Sequence, residues 1–159
     1  MRLIPLVVVL LVLAGCGDGG APAPSETKAA PQVKKNPPPK DEARWFPKKD
    51  QVSMELVPDH ILGKDYLPGG NLGKYKAGGK EYEMFLIKTA GNQDAALLVF
   101  DIKKDLKDSK LIPHFGGYFG QDNGRDVFVF AKNAWLVGIA GLGEKDADAV
   151  AREFAVRLQ

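Results

Sequence analysis

Two neighbouring apolar stretches, residues 127–131 (VFVFA) and 134–140 (AWLVGIA), limit the possible folds most strongly. A strand with one face in water alternates apolar and polar residues, whereas a strand covered on both faces is continuously apolar. Both stretches are of the second kind. Only Lys132 and Asn133 separate them, so they predict an antiparallel hairpin in the middle of a sheet. The fold must therefore supply apolar cover to both sides of this hairpin.

Three further strands are predicted earlier in the chain, at residues 52–56, 72–77 and 81–88. The first alternates apolar and polar residues. The last (EYEMFLIK) is rich in the aromatic and branched residues that favour strands. Gly78 and Gly79 lie between the second and third strands and predict a tight turn there.

Two amphipathic helices are also predicted. The first follows Asn92, a good N-cap residue, and the second spans residues 144–158. Each helix places apolar residues at helical spacing along one face: Ala95, Leu98, Val99, Ile102 and Leu106 in the first, and Ala147, Val150, Ala151, Phe154 and Leu158 in the second. Residues 56–63 predict a brief helical turn, because Pro58 suits an early helical position and Gly63 a left-handed stop.

Together these elements predict an α+β fold, with an antiparallel sheet of about four to six strands and two helices packed on it. Residues 45–63, or a second copy of the chain, would shield the face that the helices leave open. Residues 60–106 align without gaps on residues 112–158 with eight identities. This alignment indicates either two strand–strand–helix halves of common origin or one hydrophobic pattern used twice.

The N-terminal end has a different character. Arg2 precedes an apolar run of 11 residues, Leu3 to Leu13, which is shorter than the roughly 20 residues of a membrane-spanning helix. Ala14 and Gly15 then lead into Cys16, the only cysteine of the chain. This arrangement resembles the signal peptide and lipobox of bacterial lipoproteins. The alternative is an ordinary secretory signal with a chance cysteine.

The lipoprotein resemblance implies a particular processing and location. A diacylglyceryl group is attached to the thiol of Cys16, and a peptidase cuts between Gly15 and Cys16. Cys16 then begins the mature chain, anchored by its lipid in the bacterial cell envelope, on the periplasmic face of the outer or inner membrane. Two or three long acyl chains hold a protein on a membrane almost permanently.

Composition predicts three segments: a signal peptide (1–15), a lipidated cysteine and Pro-rich tether (16–44), and one folded domain (45–159). The tether reads as a spacer, with a Pro-rich recognition motif as the alternative. The domain has 16 lysines and arginines against 16 aspartates and glutamates, and this neutrality argues against nucleic-acid binding. It resembles domains common in exported bacterial proteins, which implies no particular activity.

The richest candidate site is the stretch FGGYFG, in which Phe115, Tyr118 and Phe119 lie among three glycines. These aromatic residues predict either a binding rim for an apolar or sugar-like ligand or a glycine-kinked strand that packs them inward. His60 and His114 have no metal-ligand spacing around them, so no metal or other cofactor is predicted.

Three functions remain open from the sequence. The first is a non-enzymatic binding module for a ligand or an envelope protein partner, favoured because no catalytic constellation is found. The second is an envelope hydrolase that uses His60 and His114 with carboxylates. The third is a structural or assembly subunit.

Overall fold

The structure, a computed structural model, describes residues 38–158. The predicted signal peptide, the lipidation site Cys16 and the tether up to residue 37 lie outside these residues. The strands are β1 (Gln51–Asp59), β2 (Pro68–Ala77), β3 (Lys80–Lys88), β4 (Lys107–Ile112), β5 (Gly117–Asp122), β6 (Arg125–Lys132) and β7 (Trp135–Ala140). The helices are α1 (Asn92–Asp105) and α2 (Glu144–Arg157), and short 3-10 turns lie at Ala43–Trp45 and Ile61–Gly63.

All seven strands form one antiparallel sheet in the order β1-β2-β3-β7-β6-β5-β4. The predicted α+β class with an antiparallel sheet is therefore confirmed, whereas the predicted number of four to six strands is too low. The strand without any counterpart in the prediction is β4. Five of its six residues are exposed, so it lacks the apolar pattern by which strands are recognised.

The hairpin of β6 and β7 lies in the middle of the sheet, as its sequence predicts. All six residues of β7 are buried. Side chains of a strand point alternately to opposite faces, and those of β7 join two separate apolar clusters, with Val137 in one and Leu136 in the other. The sheet therefore has a core on each face.

The two helices lie on opposite faces of the sheet. Phe154 of α2 belongs to the cluster that contains Val137, and Ile102 of α1 belongs to the cluster that contains Leu136. We call these sides the α2 face and the α1 face. The expectation that both helices leave one face open is wrong, because each helix covers a different face of the central strands.

This arrangement bears on the two predicted halves. The segments β2-β3-α1 and β6-β7-α2 do follow the predicted strand–strand–helix order. However, β3 and β7 are antiparallel neighbours. A two-fold axis that exchanges two such strands runs perpendicular to the sheet, so it maps each face of the sheet onto itself. It would place both helices on the same face. The two segments are thus not related by such an axis.

The chain before β1 covers the part of the α2 face that α2 does not reach. Phe46 is buried against Phe154, with ring centroids 4.9 Å apart, and Trp45 meets Trp135 edge-on at 6.5 Å. The buried side chain of Asn71 accepts a hydrogen bond from the backbone N–H of Glu42. We call residues 41–47 the strap. Its contacts begin within the segment that composition assigns to the tether.

Two local predictions are corrected. Pro58 lies within β1 rather than in a helical turn, because β1 is an edge strand and an edge tolerates a residue without an N–H. Only Ile61–Gly63 forms a 3-10 turn there, and Gly63 has the predicted positive φ, 70°. The N-cap of α1 is Gly91 instead of Asn92, which is the first helical residue.

Candidate functional site

A surface groove of about 470 Å³ lies where the turn between β4 and β5 meets the first residues of α2. Its floor is apolar and consists of Ile112, Phe119 and Phe128. Charged and polar side chains surround this floor: Lys110, His114, Glu144, Lys145 and Asp148. We call this feature the α2 groove. Its volume lies within the range of roughly 300–1,000 Å³ that is typical of small-molecule sites.

The strand register explains the aromatic floor. Phe119 of β5 and Phe128 of β6 are paired residues, so their side chains point to the same face, the α2 face. Phe115 packs beside them, with its ring centroid 5.3 Å from Phe128 and 4.5 Å from Phe130. The first turn of α2 does not reach as far as Phe119, which lies near the sheet edge. Phe119 is therefore half-buried and faces the groove.

A cluster of three polar residues stands at one end of the groove. Asp148 accepts a hydrogen bond from Nε of Arg152 at 2.8 Å, and its other oxygen lies 2.5 Å from Nε2 of His114. A guanidinium nitrogen of Arg152 lies 2.8 Å from the same Nε2. That ring nitrogen can donate to Asp148 only when it carries a proton, and can accept from Arg152 only when it does not. Nε2 of His114 can therefore make only one of these two hydrogen bonds at a time.

The pKa of the Asp148 carboxyl is lowered, chiefly because Arg152 donates a hydrogen bond to it. Burial acts in the opposite direction, and the contact with His114 lowers the pKa further. Asp148 is thus a carboxylate at neutral pH that fixes both side chains. Among the groove-lining residues there is no serine, threonine or cysteine. The His114–Asp148 pair consequently has no hydroxyl or thiol of the groove itself to activate.

The mouth of the groove carries one ion pair and one unpaired cation. Lys110 of β4 contacts Glu144 of α2 at 2.7 Å, and both side chains are largely in water, so this pair is weak and can open. The exposed Lys145 has no ion-pair partner within residues 38–158. The N-terminal end of α2, which carries Glu144 and Asp146 in its first turn, lies at the same place. Lys145 is therefore the cation of the mouth that can meet an anionic group.

The structure brings together only two of the three aromatic residues predicted as a rim. Phe119 lines the α2 groove, and Phe115 packs against Phe128 and Phe130 on the same face of the sheet. Tyr118 neighbours Phe119 in β5 and so points to the α1 face, where its ring lies 6.0 Å from Phe100 and under the ammonium group of Lys103. The stretch is therefore a strand whose aromatic residues pack on the sheet, with Phe119 facing the groove, and the binding rim stays a prediction.

The two histidines are not brought together. His114 lies in the β4–β5 turn, where its ring contacts Asp148 and Arg152, whereas His60 follows β1, the other edge strand, and its ring contacts Asp59. Within residues 38–158, the two rings share no hydrogen-bond or ion-pair partner. A site that uses both histidines is therefore not formed within one chain. Within residues 38–158, no three His, Cys, Asp or Glu side chains are grouped closely enough to hold a metal ion.

Sequence reasoning missed a polar cluster centred on Lys64, in the connection between β1 and β2. Its ammonium group contacts Asp105 at 2.8 Å and Asp122 at 2.9 Å, and the Tyr66 hydroxyl donates to Asp105 at 2.6 Å. We call these four residues the Lys64 cluster. It ties the β1–β2 connection to the ends of α1 and β5. No local signal could reveal it, because its members are far apart in sequence.

Burial and hydrogen bonding shift the pKa values in this cluster. Burial opposes the charge of Lys64, but its bonds to Asp105 and Asp122 outweigh burial and raise the pKa above 10.5. Burial and the hydrogen bond to Asp105 raise the pKa of Tyr66. The hydrogen bonds from Lys64 and Tyr66 lower the pKa of Asp105. The cluster has a structural role, because its hydrogen-bond donors and acceptors satisfy one another and hold the β1–β2 connection in place.

Comparison with protein-family models, with curated proteins and with solved structures finds no match to this chain. Neither helix of the described part of the chain has the length and hydrophobicity that a membrane span requires.

Proposed function

We propose that this protein is a lipid-anchored protein of the bacterial cell envelope that binds a small amphipathic ligand in the α2 groove, without converting it chemically. The anchor is the diacylglyceryl group that the lipobox resemblance places on Cys16. The ligand inserts an apolar part between Phe119 and Ile112 and presents an anionic group to Lys145. The observation that carries the binding role is the combination of an open apolar floor and an unpaired cation in one groove.

The binding role is tested with the anionic dye 8-anilinonaphthalene-1-sulfonate, whose fluorescence rises in apolar sites. We expect Phe119→Ala and Lys145→Glu each to weaken dye binding by about fivefold or more, since each removes roughly 1 kcal/mol of contact. Phe100→Ala and Lys132→Glu are matched controls, because Phe100 is an exposed aromatic residue on the α1 face and Lys132 is an exposed lysine at the end of β6. Equal effects of the test and control variants would refute the role of the groove.

The anchor is tested separately by mass spectrometry of the protein extracted from membranes. We expect a mature chain that begins at Cys16 and carries a thioether-linked diacylglyceryl group. A free thiol at Cys16, or a chain that still contains residues 1–15, would show that the anchor is absent. This result would leave the groove experiment unaffected.

A second candidate, an envelope hydrolase, is favoured by the His114–Asp148 contact, because a histidine oriented by a carboxylate can act as a general base toward water. If an acyl ester probe is turned over, His114→Gln should reduce the rate by about 100-fold or more while the fold is kept. Lack of turnover, or turnover that His114→Gln does not change, would exclude this candidate.

A further inference from the structure

The two edges of the sheet differ in how they are protected against pairing with another chain. The edge strand β4 carries Lys107 and Lys110, and its register is irregular between them, where Asp108 has a positive φ of 50°. Pro113 follows at its end. Lysines, irregular register and proline are the features by which proteins prevent edge-to-edge association. The β4 edge is therefore closed to another strand.

The opposite edge strand, β1, has little of this protection. Its residues 53–57 pair regularly with β2, beyond an irregularity near Val52, and contain one charged residue, Glu55. Val52 is 67% exposed and Leu56 43% exposed. Within the described residues, the sheet ends at β1. Pro58 and Asp59 protect the end of β1, but residues 53–57, with the exposed Leu56 and one charge, are suited to pair with another strand.

We propose that β1 pairs antiparallel with β1 of a second copy of this chain, about a two-fold axis that passes through Met54. The register follows from charges on the α1 face. Within one copy, Ser53 lies beside Lys74 of β2, and Glu55 lies beside Leu72. With Met54 on the axis, Glu55 lies opposite Ser53 of the partner subunit. Lys74 of the partner subunit lies one strand further on, in β2 of that subunit, on the same face of the sheet.

The gap between Glu55 and this lysine is two strand spacings, about 10 Å, which the two long side chains can bridge over the small serine. The two-fold axis creates this contact twice. Neither Glu55 nor Lys74 has an ion-pair partner within residues 38–158, so both charges are free to pair.

Neighbouring registers lack this complementarity. An axis through Glu55 would place two carboxylates directly opposite each other, which is unfavourable. An axis through Leu56 would place Glu55 opposite Val57 of the partner subunit, whose neighbour in β2 is the uncharged Gly70. The Met54 register is therefore the one that the charges select.

A pairing of this length is small for a specific interface, so we expect the dimer to be weak in dilute solution. The folded domain has equal numbers of acidic and basic residues, which limits repulsion between copies. Lipid anchors that hold both copies on one membrane would raise their effective concentration and favour the dimer. This last point rests on the proposed anchor, whereas the register does not.

The test is cross-linking of the full chain in membranes of a bacterial host. Met54→Cys places a thiol at the proposed axis, where the two Cα atoms would lie about 4.5–5.5 Å apart, within reach of a disulfide. Ser109→Cys on the β4 edge is the matched control. Glu55→Lys and Lys74→Glu are then added singly and together to Met54→Cys. We expect an oxidised dimer with Met54→Cys alone, at least threefold less with either charge reversal, and restoration with both.

Absence of a dimer with Met54→Cys, an equal yield with Ser109→Cys, or failure of the double charge reversal to restore the yield would each overturn the proposal. The parent chain reports on the anchor, because its only cysteine is Cys16. If the parent itself cross-links, the thiol of Cys16 is free and the proposed anchor fails. In that case the cross-linking yields of all variants are compared in chains that also carry Cys16→Ser, and the same outcomes decide the β1 pairing.

Discussion

Asn71 is the one polar residue that the described part of the chain buries completely, at 1% exposure. Its side-chain oxygen accepts a hydrogen bond from the Glu42 backbone, and its amide group donates to the Asp41 carboxylate. Both bonds attach the strap to β2. Burial of a polar side chain is favourable only when such partners are present, so Asn71 makes the position of the strap specific.

We expect Asn71→Ala to lower the free energy of unfolding by about 1–3 kcal/mol, because the groups of Asp41 and Glu42 lose their partner. Denaturant unfolding measures this loss. Asn92→Ala, at an exposed asparagine in the first turn of α1, is the control and should change stability by less than about 0.5 kcal/mol. Limited proteolysis should cut the strap faster in the Asn71 variant. An unchanged cutting rate would show that the aromatic contacts alone hold the strap.

Gly138 is a second residue whose identity is fixed by its surroundings. It is paired with Phe85 between β7 and β3, and a Cβ atom added at Gly138 would overlap the Phe85 ring. The ring occupies the space that any larger residue at 138 would need. This close approach, rather than backbone conformation, is the reason for a glycine in the most buried strand.

We expect Gly138→Ala to destabilise the protein by about 2 kcal/mol or more, through overpacking. In contrast, Gly143→Ala should cost no more than about 1 kcal/mol, because no atom lies within 4 Å of its added Cβ. Combining Gly138→Ala with Phe85→Leu should recover part of the loss, and a double-mutant cycle from thermal unfolding measures the coupling. Strict additivity of the two changes would contradict the proposed overlap.

At the scale of elements, the Lys64 cluster fixes the β1–β2 connection on the α1 face. Its effect on stability depends on pH at both ends of the range. Lys64 and Tyr66 have raised pKa values in the fold, so the unfolded chain loses their protons first and stability falls as pH rises beyond about 10. Asp105 has a lowered pKa, so its contribution is present at neutral pH and is lost as pH falls below about 4.

We therefore expect Lys64→Met to reduce the free energy of unfolding by about 1–3 kcal/mol near neutral pH. The difference from the parent chain should shrink below about pH 4 and above about pH 10. Urea unfolding across the pH range measures it, with Lys49→Met, at an exposed lysine, as the control. A difference that is constant with pH would show that Lys64 acts by packing and not by its charge.

At the scale of the whole molecule, one sheet separates two cores. Residues of β3, β6 and β7 alternate between the α1 face and the α2 face, so the same backbone supports both cores. A loss of packing on one face must disturb the strands that the other face uses. The two cores should therefore unfold together as one cooperative unit.

We expect Ile102→Val on the α1 face and Phe154→Leu on the α2 face each to cost about 0.5–1.5 kcal/mol. Both should lower the midpoint of one common thermal transition, recorded by calorimetry and by circular dichroism in the near and far ultraviolet. A transition that splits in two when only one face is altered would contradict a single cooperative unit.

Much of the secondary structure could be predicted because its signals are local. The continuous apolar stretches gave the central hairpin, and helical spacing gave both helices. The predicted hairpin forms, but its turn lies one residue later than predicted, at Asn133 and Ala134, because Lys132 still pairs with Trp135. The strand β4 was missed because an exposed edge strand needs no apolar face. Pro58 was misread because its tolerance depends on its place at the edge of the sheet, which neighbouring residues do not reveal.

The candidate site was harder to predict. The structure places Phe115 and Phe119 on the α2 face and Tyr118 on the α1 face. The sequence analysis grouped all three because composition ignores the alternation of a strand, and their role as a binding rim stays a prediction. The partner of His114 could not be inferred, since Asp148 lies 34 residues away on α2. The groove exists because the first turn of α2, the β4–β5 turn and three strands meet, and these elements come from different parts of the chain.

By itself, the sequence determined the central hairpin and the two amphipathic helices, since these depend on side chains a few positions apart. Only the tertiary structure decided that α1 and α2 take opposite faces, that Lys64 meets Asp105 and Asp122, and that one edge strand is left unprotected. The reason is that local patterns state which side of an element avoids water, but only the packing of the whole chain states which distant element covers that side.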